Sequence, residues 1–276
     1  MEIPGLKLDE NKAEKQEGVN AIMSLEEEQE GDDEGEGDVC QEDEADLEEL
    51  DAREATEFRS VVASANYLSA DRPDMVFATK ELCRTMAKPK KGCLKRLKRL
   101  ARYLLQYLSV ELRYENQKPQ KSMKVYVDSN WAGCLRTRKS TSGGIIALGK
   151  HVVKSWSSTQ GTVALFSGEA ELYAIVEGAA RALSVQSTMK DMSSDVTIEM
   201  FTDSSAAKGV VHRSGLGKIR HMHTKYLWVQ DAVKEKRINV LKIEGKKNPA
   251  DVATKFLSKQ QMSIVLEPIG VKIKRR

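Results

Sequence analysis

Beyond Pro119 the apolar residues stop recurring every three or four positions and begin to alternate with polar ones. A chain whose period changes in this way does not fold as helices alone. MKVYVDSNW (123–131), STSGGIIALGK (140–150) and HVVKSWSS (151–158) read as three consecutive strands joined by short polar turns. The Gly143-Gly144 pair and Gly149-Lys150 mark irregular or turn positions, and an antiparallel meander is expected. The helical period then returns. SGEAELYAIVEGAARALSVQSTMKDM (167–192) sets Ala170, Tyr173, Ala174, Val176 and Ala180 at helical spacing, with Ser167 placed as N-cap. After it come a strand (197–203), a short helix (205–213), an amphipathic helix (225–237), a strand (238–245) and a last helix over 248–257 opened by Asn248 and Pro249. The order βββαβααβα describes an α/β domain.

Upstream of Pro119 the pattern is helical. VVASANYLSA (61–70) ends at Asp71-Arg72-Pro73, and Pro73 suits the first turn of a helix running through MVFATKELCRTMA (75–87). After Pro89 and Gly92, CLKRLKRLARYLLQYLS (93–109) puts Leu94, Leu97, Ala101, Leu104, Leu105 and Leu108 on one face. Lys95, Arg96, Lys98, Arg99 and Arg102 share the other. Charge divides along the chain as sharply as period does. Residues 1–58 hold 23 acidic and 4 basic side chains, a net of −19, which leaves 40 basic and 18 acidic in the other 218 and a net of +22. So basic a body expects a polyanion, because each cation set on a phosphate releases condensed counterions. The acidic, glycine-spotted stretch 24–51 has too little apolar surface to offset the entropy of ordering. Three segments are expected: a disordered acidic stretch (1–57) acting as a solubilising tail, a helical segment (58–120) and an α/β domain (121–276). Four dispersed cysteines without a Cys-x-x-Cys pair argue against a disulfide framework or a structural zinc site and fit a reducing compartment. No apolar run approaches the ~20 residues that cross a bilayer. An intracellular protein with no membrane partner is expected.

Four carboxylates stand where they cost most. Asp128 follows Val125-Tyr126-Val127, and Asp203 follows Met200-Phe201-Thr202, so both end predicted interior strands, where α/β folds build sites. Glu171 lies in the first turns of the long helix and Asp251 in the first turn of the last one. Each has an ordinary explanation by itself, since acids favour helix N-termini and Asp commonly ends strands. Converging in one domain, four such groups do not stay ionised together without cations. Hard oxygen ligands select Mg²⁺ or Mn²⁺ over zinc. Two such ions ~4 Å apart activate a water and stabilise a leaving 3′ oxygen at phosphorus, which is nuclease chemistry.

The stretch from VDSNWAG through TRKSTSGG, VKSWSS and SGEAELYAI (127–175) resembles the ribonuclease H domain of copia-type LTR retrotransposon polyproteins. Their pattern runs D-x-D/N-W-A-G, T-R-K/R-S-T-S-G, I-S-W-x-S, E-A-E-Y/L-x-A. The likeness continues in order through FTDSSAAKG, KIRHMHTKYLWVQ and NPADVATKFL, spanning 123 to about 257. Residues 58–89, with LKRLARYLL (97–105), look like the connection between reverse transcriptase and ribonuclease H in the same polyproteins. No Tyr-x-Asp-Asp strand pair occurs, so the chain reads as a C-terminal piece of such a polyprotein and polymerisation is not expected of it.

The resemblance implies a ribonuclease H-like three-layer fold, a mixed five-stranded sheet with helices on both faces. It implies cleavage of the RNA strand of an RNA·DNA hybrid with two Mg²⁺ or Mn²⁺ ions. The implied partner besides the hybrid is the polymerase part of the reverse transcriptase, and the implied place of action is the cytoplasm, within particles, or the nucleus. Position by position, Asp128, Glu171, Asp203 and Asp251 correspond to the family's Asp-Glu-Asp-Asp set. Glu169 competes with Glu171, but the two lie about 200° apart round a helix, so only one points inward. Glu171 is chosen for its Ala-Glu context, leaving Glu169 to cap or be solvated. Trp131 is expected to pack beside the first strand. TRKSTS (137–142) brings Arg138, Lys139, Ser140, Thr141 and Ser142 as substrate-side donors for phosphate and 2′-hydroxyl oxygens. His221 and Lys225 are assigned to the substrate side, since His221 and His223 lack partner ligands for a metal site. Three departures from the ribonuclease pattern stand out. No His lies between Lys225 and Asp251, where cellular ribonucleases H carry a mobile one, and Leu172 and Ser204 replace the usual Tyr and Asn. A catalytically inactive nucleic-acid binder is the principal rival. An integrase-like strand transferase is disfavoured for want of its zinc module.

Overall fold

A computed structural model describes residues 47–215, 217 and 226–274. They fall into two compact units, one holding 47–69 and Ala78–Leu108, the other Ala70–Phe77 and Ser109–Lys274. In the first unit, helix α1 (Ala52–Leu68) opens on a capping box: Asp51 accepts from the Glu54 amide at 2.8 Å and the Glu54 carboxylate accepts from the Asp51 amide at 3.2 Å. Ordered structure thus begins before residue 58. Because Ala55, Phe58, Val61, Val62 and Ala65 form one buried stripe, the end of the acidic stretch is helical, while 1–46 lie outside the described residues. Helix α2 (Val76–Cys83) follows a 3₁₀ turn at Pro73–Met75, and helix α3 (Lys91–Gln106) buries Cys93, Leu97, Leu100 and Ala101. Its buried stripe is narrower than expected, with Leu108 half-exposed beyond the helix end and Lys95, Arg99 and Arg102 outward.

The second unit is built on a five-stranded sheet, and the expected mixed sheet is observed. Strand β1 (Ser109–Leu112) precedes the sheet. The meander β2 (Ser122–Asn130), β3 (Thr141–Leu148) and β4 (His151–Thr159) is antiparallel. The β3–β4 turn is closed by Gly149 at φ +61°, a conformation natural to glycine. Strands β5 (Thr197–Thr202) and β6 (Ile238–Lys242) add in parallel beside β2, giving the order β4-β3-β2-β5-β6. Helix α4 (Ser167–Asp191) crosses one face. Ala170, Ala174, Gly178 and Ala182 recur along its buried side, and a Cβ on Gly178 would sit 2.5 Å from Val127. Small residues therefore let the helix rest on β2, whose Met123, Val125 and Val127 join the core with Ile198, Met200, Ile238 and Val240. Helices α5 (Ser205–Val211) and α6 (Trp228–Lys234) complete that layer through Ala207, Val211, Val229 and Ala232.

Three details differ from the expectations drawn from sequence. Phe166, not Ser167, is the N-cap of α4, and the Glu169 side chain satisfies the entering backbone instead by accepting from the Leu165 amide at 2.8 Å. The Gly143-Gly144 pair lies within β3 rather than at a turn. The helix expected over 248–257 is a five-residue 3₁₀ turn, Pro249–Ala253, which packs on the second face of the sheet. It stays short because Asn248, fully buried, donates from Nδ2 to the Val127 carbonyl at 3.0 Å while capping the Ala250 amide, so the turn is pinned to β2. Ser258 then starts a separate helix α7 (Lys259–Leu266) with a capping box to Gln261. Strand β7 (Val271–Lys274) follows and pairs antiparallel with β1. Among the described residues no helix is long and apolar enough to cross a membrane.

Candidate functional site

Asp128 ends the apolar part of β2, Asp203 directly follows β5, and Glu171 lies at the start of α4. Because β2 and β5 are parallel neighbours, their carboxyl ends arrive together, and α4 lies across them. One ligand oxygen from each of Asp128, Glu171 and Asp203 lies within 4.8 Å of the other two. Asp128 is 3% exposed and Glu171 7%.

Each acid is held by neighbours. The Thr254 hydroxyl, fully buried, donates to Asp128 Oδ2. Glu171 Oε1 accepts from the Ser129 amide at 3.1 Å and the Ser129 hydroxyl at 2.9 Å, and Thr202 Oγ1 stands 3.5 Å from Oε2. A Cβ on Gly245 would meet Asp203 Oδ2 at 3.1 Å, so glycine there lets the Gly245–Lys247 turn pass beside the acid. Asp251 sits nearby in the 3₁₀ turn but outside the three-acid cluster. Its Oδ2 pairs with Lys255 Nζ at 3.0 Å, and the same ammonium is 3.9 Å from Asp128 Oδ2.

The electrostatics follow from packing acids together out of water. Burial, opposed by Lys255 and reinforced by Asp251, pushes the Asp128 carboxyl up to about 7. Burial, reinforced by Asp128, pushes Glu171 up to about 8 despite the Ser129 hydrogen bonds. Asp251 is raised by burial against the pull of Lys255. Burial works to lower Lys255, yet Asp128, Asp251 and Asp203 together hold it above the ordinary lysine value. The residues fit a divalent cation: every donor is a hard carboxylate oxygen, the cluster carries more negative charge than it can keep, and Asp251 Oδ1 is buried without a partner.

The other expected site residues are distributed differently. Glu169, 2% exposed, points away from the cluster, with its Oε1 accepting from the Tyr173 hydroxyl. It caps, but it is not solvated. Ser140, Thr141 and Ser142 are buried rather than free for a substrate. Ser140 Oγ accepts from the Ala132 amide at 3.0 Å and Ser142 Oγ from Gln160 Nε2 at 2.9 Å, because a strand entering the sheet must satisfy its polar groups internally. Arg138 is exposed and Lys139 half-buried. His221 and Lys225 lie outside the described residues. Trp131, expected to pack, is 47% exposed and donates its indole N–H to the Ala164 carbonyl at 3.0 Å. Sequence reasoning passed over Ser129, Thr254 and Lys255. The last carried a signal, since Asp251 and Lys255 are spaced i,i+4.

No family model matches the chain. It is 36% identical over 126 residues to an uncharacterized mitochondrial protein of Arabidopsis thaliana, covering 45% of this chain and 52% of that one. It is 26% identical over 217 residues to the retrovirus-related Pol polyprotein from transposon TNT 1-94 of Nicotiana tabacum, covering 78% of this chain and 16% of the polyprotein. The chain thus spans about half the length of the first relative and about a sixth of the second. Among solved structures, LC11-RNase H1 in complex with an RNA/DNA hybrid aligns with a TM-score of 0.36 at 18% identity, over 48% of this chain and 94% of that one. Along 78% of its length the chain is similar to the retrovirus-related Pol polyproteins of copia-type transposons.

Proposed function

We propose that the second unit is a metal-dependent endoribonuclease that cleaves the RNA strand of RNA·DNA hybrids. The observation that carries this reading is the convergence of Asp128, Glu171 and Asp203 at the ends of two parallel strands and the start of α4. Those three residues would hold a Mg²⁺ or Mn²⁺ ion, and Asp251 would contribute to a second. Ions so held supply an activated water and stabilise the departing 3′ oxygen. The protein's own part is orientation. Ser129 binds Glu171 Oε1 through both backbone and side chain, and Thr254 fixes Asp128 Oδ2, so neither carboxylate turns freely. Burial keeps bulk water from screening the cluster. Arg138 and Lys139 offer phosphate contacts, which position a duplex without reading its sequence. The polymerase part of the polyprotein is the expected partner, and the work is done inside the cell, in particles or the nucleus.

The test is incubation of the full chain with a hybrid labelled on each strand, in Mg²⁺, in Mn²⁺ and in EDTA. Loss of the RNA strand alone, only with metal, is the expected result. Salt-sensitive binding of the hybrid with no cutting in either metal would replace this reading with that of a non-catalytic binder.

A further inference from the structure

Lys255 is the cation that, among the described residues, meets two of the four acids at once. It lies 3.0 Å from Asp251 Oδ2 and 3.9 Å from Asp128 Oδ2. We propose that in the metal-free chain this ammonium occupies the place of the second cation, so that divalent ions load one at a time. The first enters among Asp128, Glu171 and Asp203, and a second enters only when Lys255 is turned out. The inference rests on the metal-dependent reading above and concerns the order in which that site fills.

Three observations support it. Asp251 stands apart from the three-acid cluster and is engaged by Lys255 instead, so the four carboxylates are split between an open group and a neutralised one. Asp251 Oδ1 is buried without a partner, a ligand atom left over once Lys255 has taken Oδ2. The Lys255 side chain is 43% exposed on a flexible four-carbon stem, so it can leave for solvent without unpacking anything. Its place is set by backbone: the Lys255 amide donates to the Asp251 carbonyl at 3.2 Å, which puts the two side chains on the same side of the turn. A second divalent ion beside a resident ammonium meets like-charge repulsion across a few ångströms of poorly screened space, and removing the ammonium removes it.

The experiment is a titration of the full chain with Mn²⁺ alone, without nucleic acid, following free ion by electron paramagnetic resonance and heat by calorimetry. The wild-type chain is expected to bind one ion, with a second at least about tenfold weaker. In Lys255→Met the second site should tighten by about tenfold or more, while Lys255→Arg, which keeps the charge, should leave it weak. Two sites of equal affinity in the wild type, or a second site unmoved in Lys255→Met, would overturn the proposal, and the wild-type result decides it if Lys255→Met fails to fold. No Mn²⁺ bound by any variant would bring down the metal-dependent reading together with this one. Sequential loading in a chain that never cuts a hybrid would leave the proposal standing and sink the ribonuclease reading alone.

Discussion

Replacing Asp128 with asparagine is expected to lower metal-dependent cleavage by ~10³-fold or more, and at the same time to make the metal-free protein more stable at pH 8. The first effect follows from removing the acid that stands between Glu171, Asp203 and Asp251 in the charge network. The second follows from linkage. In the unfolded chain Asp128 gives up its proton near the ordinary carboxylate value, whereas in the folded chain it keeps the proton until about 7. Between those values the unfolded state binds fewer protons, so stability is greatest below the unfolded value and falls as pH rises through the folded one. Glu171, held at about 8 partly by the Asp128 charge, adds to the same loss and is relieved when that charge goes. In EDTA, Asp128→Asn should therefore match the wild type at pH 4 and exceed it at pH 8 by on the order of 2–4 kcal/mol. Denaturant melts at the two values check this, and saturating Mn²⁺ should reverse the order at pH 8, since only the wild type keeps its full ligand set. A variant as active as the wild type, or a stability difference that does not change with pH, contradicts the assignment.

Much of this site was legible because its logic is local. A carboxylate that directly follows a mainly apolar strand run marks where that run stops: Asp203 directly follows β5, and Asp128 closes the apolar part of β2, which continues through Ser129 and Asn130. The choice of Glu171 over Glu169 rested on helical angle and context, and the two side chains do point to different partners. What sequence did not disclose depends on which chain segment comes near. Ser140 and Ser142 read as substrate donors because a hydroxyl in a sequence carries no sign of burial, and here Ala132 and Gln160 consume them. The β1–β7 ribbon joins Ser109 to Lys274, too far apart in the chain for any short-range pattern to register. Ser204, a departure from the family's residue beside Asp203, caps α5 by accepting from the Ala207 amide at 3.1 Å, so the site keeps its frame. Lys255 stands apart: its i,i+4 spacing to Asp251 is visible in sequence but resembles an ordinary surface pair, and only the packing of the 3₁₀ turn brings its ammonium within 3.9 Å of Asp128.

Gly143 shows how the fold's packing reaches the chemistry. It pairs with Asp128 in the β2–β3 register, and a Cβ there would lie 2.7 Å from Ala253 Cβ, 2.7 Å from Thr254 Cγ2 and 2.8 Å from the Ala253 carbonyl oxygen. One of those atoms is backbone, so the 3₁₀ turn as a whole must move. That turn carries Asp251, and Thr254 and Lys255 follow it directly. Gly143→Ala is therefore expected to cost about 1–3 kcal/mol and also to slow cleavage per folded molecule, by loosening Thr254 from Asp128. Gly144→Ala separates the turn from the strand. Its Cβ would meet the Trp156 ring at 2.3 Å and the Tyr126 carbonyl at 2.5 Å, so it should destabilise comparably by displacing Trp156 and the β2 backbone at Tyr126, with no contact to the turn. Gly209→Ala, exposed on α5 with nothing within 4 Å, should instead stabilise by about 0.5–1 kcal/mol. Melts and cleavage rates on the three variants test the ordering. If Gly143→Ala lost stability but cut at the full rate per folded molecule, the turn would not be what positions Asp128, and the link drawn from glycine to carboxylate would be broken.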